Sequence, residues 1–192
     1  MARREPLTAE ALTDIVLAVV DAGGPSALTL KEVARRAQVA PPSLYNHVRD
    51  LKELRERAVL RVMRQLTDAL AAAAIGQARD DAVRALMHAY RGLVRRHPQR
   101  YLLLEPDPLS SAVLQEEGRR QLEVVARVLA GYGRNEAAQI HDIRLLRSVA
   151  HGFASLEAAG GFGLPEDIDE TFERLNGMLI AYLNNQSQRS EK

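Results

Sequence analysis

Apolar residues recur at helical spacing along nearly the whole chain, and no stretch alternates with period two for long enough to make a strand. Leu12, Ile15, Val16 and Val19 stand at i, i+3, i+4 and i+7, so a helix gathers them on one face and a strand scatters them. The spacing returns in Leu54, Ala58, Val62, Met63, Leu66 and Leu70, then in Val83, Leu86, Met87, Tyr90 and Val94. Leu146, Val149, Ala150, Phe153 and Leu156 repeat it near the carboxy end, followed by Ile168, Phe172, Leu175, Leu179 and Tyr182. The expected class is therefore all-α, with about nine helices.

Start and stop signals divide these faces. Thr8 can cap the first helix, and Gly23-Gly24-Pro25 stops it. Thr29 and Glu32 have the spacing of a capping box, in which each side chain satisfies the other's free amide. That second helix fades near Gln38-Val39, and Ala40-Pro41-Pro42 breaks the chain before a third short helix expected over Ser43 to Val48. Asp50 to Glu53 starts a long helix, and a further one ends at His97-Pro98. Glu105-Pro106-Asp107-Pro108 is expected to bend, because two prolines fix the backbone and remove donors. A helix from about Ser110 to Ala130 stops at Gly131-Tyr132-Gly133, Asn135 caps the next, and Gly160-Gly161-Phe162-Gly163 ends it.

Composition narrows the function classes. A chain of 192 residues, 46% hydrophobic and 27% charged, is long enough for a real core and is not disordered in character. Cysteine is absent, which removes disulfides, thiol nucleophiles and thiolate zinc sites. No apolar run approaches the roughly 18 residues of a membrane span, and the amino end has no secretory signal pattern, so a soluble cytoplasmic protein without a membrane partner is expected. Residues 1–64 carry eleven basic and eight acidic side chains, against fifteen and seventeen in the remainder. That bias permits nucleic-acid binding by the front third and equally suits an ordinary solvated surface.

Enzymatic chemistry finds little to stand on. His47, His88, His97, His141 and His151 form no H-E-x-x-H pair, and Ser110, Ser111 and Ser148 lack the glycines of a nucleophile elbow. The glycine clusters follow helices rather than strands, so they read as helix ends and not as phosphate cradles. No catalytic residue, metal site or cofactor is expected.

Residues 28–54 carry the strongest functional signal. Two short helices with a tight connection suit a helix-turn-helix reader, whose second helix fits the DNA major groove. Ser43, Tyr45, Asn46 and His47 supply groups that bond base edges or phosphates, while Leu44 and Val48, four apart, anchor the helix to Leu12 and Ile15. Spacing alone fits a plain helical hairpin just as well.

The stretch from Thr29 through Val33-Ala34, Ala37 and Val39 to Ser43-Leu44-Tyr45-Asn46-His47-Val48 resembles the amino-terminal domain of TetR-family transcriptional regulators. Gln38-Val39-Ala40 stands where the family usually has Gly-Val-Ser, Val48 where Phe is frequent, and Leu51 where a lysine is usual, with Lys52 beside it. Farther on, His151-Gly152-Phe153, Leu156 to Phe162 and Phe172-Glu173-Arg174-Leu175 resemble the family's WHG-type carboxy-terminal domain, although the chain has no Trp and Arg147 or a neighbour takes its place.

The resemblance implies a DNA-binding domain over residues 1–50 and a ligand-binding and dimerising domain over 51–192. It implies a homodimeric repressor on a palindromic double-stranded operator, released by an unknown small-molecule effector. Candidate DNA contacts are Thr29, Lys31, Pro42, Ser43, Tyr45, Asn46, His47 and Lys52, with Arg3 and Arg4 as a basic arm. Candidate ligand contacts are Met63, Leu66, Met87, Tyr90, Tyr101, Leu122, His141 and Arg147. Candidate dimer contacts are Phe153, Phe172, Leu175, Leu179 and Tyr182. A helical ligand-binding or interaction protein that has lost sequence-specific DNA binding is the alternative; Leu51 favours it, and Leu44-Tyr45-Asn46-His47 favours DNA.

Overall fold

The first helix is set by its caps. In the computed structural model, which describes residues 7–104 and 110–190 with side chains as far as Ser187, α1 runs Ala9–Gly23. Thr8 Oγ1 accepts from Ala11 N at 3.1 Å. At the other end the N–H of Gly24, in the left-handed region at φ 72°, donates to the Val20 carbonyl. Helix α2 (Leu30–Ala37) starts where expected, with Thr29 Oγ1 accepting from Glu32 N at 3.2 Å. The Glu32 carboxylate turns instead to Arg35 and Arg36, at 2.7 and 3.0 Å, so half of the expected box is replaced by an ion-pair cluster. A guanidinium offers a carboxylate a stronger, charge-assisted bond than a backbone amide does.

Helix α3 spans only Pro41–Leu44, earlier than the expected Ser43–Val48. The two prolines supply its first turn, and a run of tight turns continues it, with the N–H groups of Tyr45, Asn46 and His47 donating to carbonyls three residues back. Helix α4 (Leu51–Ala74) begins on a side-chain cap, Asp50 Oδ1 accepting from Glu53 N, while Glu53 Oε2 accepts from Arg49 N one residue farther out, both at 2.8 Å. Helix α5 (Arg79–Arg96) is followed by α6 (Pro98–Tyr101), a single turn that has no apolar repeat to announce it. The remaining helices are α7 (Ala112–Ala130), α8 (Glu136–Ala158), capped by Asn135, and α9 (Ile168–Ser190). The described residues thus form nine helices and no strand, the all-α class expected. The bend expected at Glu105 to Pro108 and the basic arm at Arg3 and Arg4 lie outside the described residues.

The chain packs as two units. One comprises Met1–Gln65 with His97–Glu117, the other Leu66–Arg96 with Gly118–Lys192. The front core joins Leu12, Val16 and Val20 of α1 to Val33 of α2, Leu44 of α3, Val48, and Leu54, Ala58 and Val62 of α4. Each such Leu or Val stabilises by about 1.5–3 kcal/mol relative to exposure. The rear core joins Leu66 and Leu70 to Val83, Leu86 and Met87 of α5, Leu129 of α7, Leu146 and Phe153 of α8, and Phe172 and Leu183 of α9. Phe153 and Phe172 sit 4.9 Å apart, centroid to centroid, in a tilted pair. Helix α4 contributes residues to both cores.

Candidate nucleic-acid interface

Two buried side chains orient the α3 segment. Leu44 and Val48 belong to the front core together with Leu12, and Ile15 packs against it, as their four-residue spacing predicts. The intervening residues then face water: Tyr45 is 58% exposed, and Asn46, His47 and Pro42 are exposed beside it, with Ser43 half-buried. A tyrosine ring that far out of a core, with phenol, amide and imidazole consecutive on one turn, is an unusual surface for a helix that only packs. It presents both donors and acceptors.

Lysines stand at two neighbouring helix starts. Lys31 in the first turn of α2 and Lys52 in the first turn of α4 are exposed. Leu51 is half-buried and packs on the front core, so its aliphatic side chain anchors α4 while Lys52 faces solvent. Thr29 Oγ1 is occupied as an acceptor by Glu32 N, which leaves its hydroxyl hydrogen to donate. Arg49 has no apolar period to mark it, yet its side chain is almost fully exposed, tethered to Glu53 at 3.2 Å. It joins the same surface as an unforeseen cation. Arg35 is also exposed and paired with Glu32. The Arg35 and Arg36 hydrogen bonds hold the Glu32 carboxyl down at about 2, so this carboxylate stays charged and fixes both guanidinium groups.

The suggested ligand contacts are divided between core and surface. Met63 and Tyr101 are buried in the front unit; Leu66 and Met87 lie in the rear core, with Tyr90 packed against it. Leu122, His141 and Arg147 are exposed. Helical spacing identifies which side chains share a face but not which helix ends splay apart. A cavity of about 410 Å³ does open in the rear unit, among the end of α4, the start of α5 and the end of α7. Its walls include Ala71, Ala74, Ala82, Val124 and Val128, none of them among the expected residues.

The dimer candidates are largely interior to their own subunit. Phe172 is 1% exposed, Phe153 and Leu179 are buried with it, and Leu175 and Tyr182 pack against the same core. These residues stabilise their own subunit, because α5 covers the face they form. The exposed apolar side chains of the pair are Ile140, Leu145 and Leu156 of α8 and Met178 of α9, the last 69% exposed, with Gly177 and Ala181 exposed beside it.

Among the described residues no helix is long and apolar enough to cross a membrane, and no three His, Asp or Glu residues gather as a metal site.

The carboxy-terminal residues 83–179 match the family described as "Tetracyclin repressor-like, C-terminal domain". The chain is 32% identical to the uncharacterised HTH-type transcriptional regulator Rv0681 of Mycobacterium tuberculosis, over 88% of this chain and 77% of that one. It is 30% identical to the uncharacterised HTH-type transcriptional regulator YobS of Bacillus subtilis, over 94% and 97%. The fold also matches the Streptomyces coelicolor TetR family protein ActR in complex with (S)-DNPA, with TM-score 0.69, 19% identity, and coverage of 95% and 99%. With its amino-terminal reading segment, its carboxy-terminal match and these relatives aligned over most of its length, the chain belongs to the TetR family of DNA-binding transcriptional regulators.

Proposed function

We propose that the protein is a cytoplasmic homodimeric repressor, which holds a palindromic double-stranded operator and releases it when a small molecule binds. DNA reading belongs to residues 1–50, and effector binding and dimerisation to 51–192. The observation that carries this reading is the turn of Tyr45, Asn46 and His47, held outward by the buried Leu44 and Val48. Tyr45, Asn46 and Ser43 address base edges, with Pro42 beside them. Lys31, Lys52, Thr29 and His47 address phosphates, which fix register without reading sequence.

A dimer supplies the palindrome. Two copies of the reading segment about one helical turn apart, roughly 34–36 Å, address successive major grooves from one side of the duplex. Release requires an effector that binds the DNA-competent and DNA-incompetent states with different affinity. Helix α4 is suited to carry that difference, since Leu54 to Met63 belong to the front core and Leu66 and Leu70 to the rear.

The test is binding to the chain's own upstream promoter DNA across a salt series. Sequence-specific retention over a random duplex, with affinity falling steeply as salt rises, is the expected result. Equal affinity for both duplexes at every salt concentration would overturn it.

A further inference from the structure

The cavity in the rear unit has a charge pattern that indicates its occupant. At about 410 Å³ it lies toward the small end of the roughly 300–1,000 Å³ range of ligand pockets. Ala71, Ala74, Ala82, Val124 and Val128 make its walls apolar, and Ile75, also lining it, is 79% exposed. An aliphatic side chain that exposed gains from any apolar body laid against it. The charged lining residues are Arg79 and Arg127, both cationic, and no carboxylate lines the cavity with them.

The two guanidinium groups are held differently. Arg79 donates to the Gly131 carbonyl at 2.8 Å and to Asn184 Oδ1 at 3.0 Å, and lies over the Tyr132 ring at 5.0 Å. All three partners are neutral, so none cancels its charge. Gly131 permits the approach, because a Cβ there would meet Arg79 Cγ at 3.3 Å. Arg79 holds this place with φ 47°, a left-handed conformation that a non-glycine residue adopts only under constraint. The neighbouring Asp80 carboxylate is already engaged, accepting from the Tyr132 hydroxyl at 2.8 Å and from Asn184 Nδ2 at 3.0 Å, and Asp81 in the next position is exposed. Arg127 has no ion-pair or hydrogen-bond partner among the described residues; Glu123, one turn earlier on α7, is paired with Arg119.

We propose that this cavity binds a small monocarboxylate with an apolar body, linear or aromatic. The body lies against the alanine and valine walls and Ile75, and the carboxylate is received by Arg127 and Arg79. A guanidinium–carboxylate contact is charge-assisted and two-pronged, which selects an acid over the corresponding alcohol or amine. The binding site stands on its own geometry, and its role in control rests on the repressor reading above.

Titration calorimetry with octanoate and 2-naphthoate, each against its alcohol and with octylamine as the cationic counterpart, tests the assignment. At least one acid is expected to bind saturably, its alcohol about tenfold or more weakly, and octylamine not at all. Arg127→Gln should weaken the acid about tenfold while leaving the alcohol unchanged. Ala74→Phe, which fills the cavity, should abolish both without lowering the melting temperature. Absence of binding by both acids, equal binding of acid and alcohol, or indifference of the acid to Arg127→Gln overturns the site, and Arg127→Gln remains informative even where Ala74→Phe does not fold. Operator retention is read in parallel with each acid. Saturable binding without operator release keeps the site and overturns its effector role, whereas failure to hold the operator in the absence of any acid overturns the repressor reading alone.

Discussion

Arg91 and Glu157 face each other as a two-pronged ion pair inside the rear unit, Nε to Oε2 at 2.7 Å and Nη2 to Oε1 at 2.6 Å. The same Nη2 reaches Asp169 Oδ1 at 2.6 Å, and the guanidinium lies over the rings of Phe172 and Phe153, at 4.6 and 5.3 Å. One buried residue of α5 thereby ties the end of α8 to the first turn of α9. No effector chemistry is needed to explain it; it clamps three helices.

Breaking that clamp should be costly. Arg91→Met leaves Glu157 largely buried, with only Arg95 at 3.8 Å to compensate, and is expected to destabilise by about 3 kcal/mol in urea unfolding. Adding Glu157→Met should recover a large part of the loss, since the penalty comes from the orphaned carboxylate.

Acid titration gives a second reading of the clamp. The Arg91 hydrogen bond holds the Asp169 carboxyl below its ordinary value. A carboxyl whose folded pKa is depressed contributes stability that is complete above the unfolded pKa, about 3.9, and is lost as pH falls through the lower folded value. Melting curves from pH 6 to pH 2 should therefore show a fall in the parent chain that flattens in Arg91→Met. Parallel curves would show that Asp169 contributes nothing through Arg91.

The turn before α3 carries a cost of its own. Gln38 sits at φ 55° and ψ 40°, the left-handed end of α2, where glycine is the usual residue. Gln38→Gly should stabilise by about 0.5–1 kcal/mol, toward the lower figure because Gln38 makes a further contact. That corresponds to about 1–4 °C in melting temperature for a chain of this length. A drop in melting temperature would mean that what Gln38 contacts outweighs the backbone strain.

How much of this was legible in the sequence depends on the kind of feature. Caps at Thr8, Thr29 and Asn135 formed where hydroxyl and amide side chains preceded apolar faces, because such signals act within four residues. Leu44 and Val48 pointed inward for the same local reason, which fixed Tyr45 outward. Helix α6 escaped, since a four-residue turn beginning at a proline has no period to read. The burial of the expected dimer residues has a tertiary cause: Phe153 and Phe172 are apolar on a regular face, but only the position of α5 decides that this face is interior. The cavity lies at helix ends, where small residues such as Ala71 and Ala82 look in sequence like ordinary helix filler.

Substitutions in the reading segment should separate base contact from phosphate contact. Tyr45→Ala removes an exposed ring and should leave the melting temperature unchanged while weakening operator binding by about 1–3 kcal/mol. Lys52→Ala should weaken operator and random duplex alike and reduce the salt slope by about one. Fluorescence anisotropy at several salt concentrations distinguishes the two. An unchanged operator affinity in Tyr45→Ala would remove that residue from the interface.

The dimer prediction follows from which apolar residues remain uncovered. Leu145, Leu156 and Met178 are exposed on α8 and α9, and Gly177 and Ala181 leave room for another helix to come close. A monomer would leave these side chains in water, and a two-fold axis through the pair would hide them in a four-helix bundle. Sedimentation at micromolar protein should give about 42 kDa, twice the chain mass of 21.2 kDa. Leu156→Glu and Met178→Glu should shift the chain toward 21.2 kDa and weaken operator binding, while each subunit keeps its helical circular dichroism. Phe172→Glu should behave differently and unfold the rear unit, because it buries a charge without a partner. If the charged variants at Leu156 and Met178 still sediment as dimers, the subunits pair through another surface.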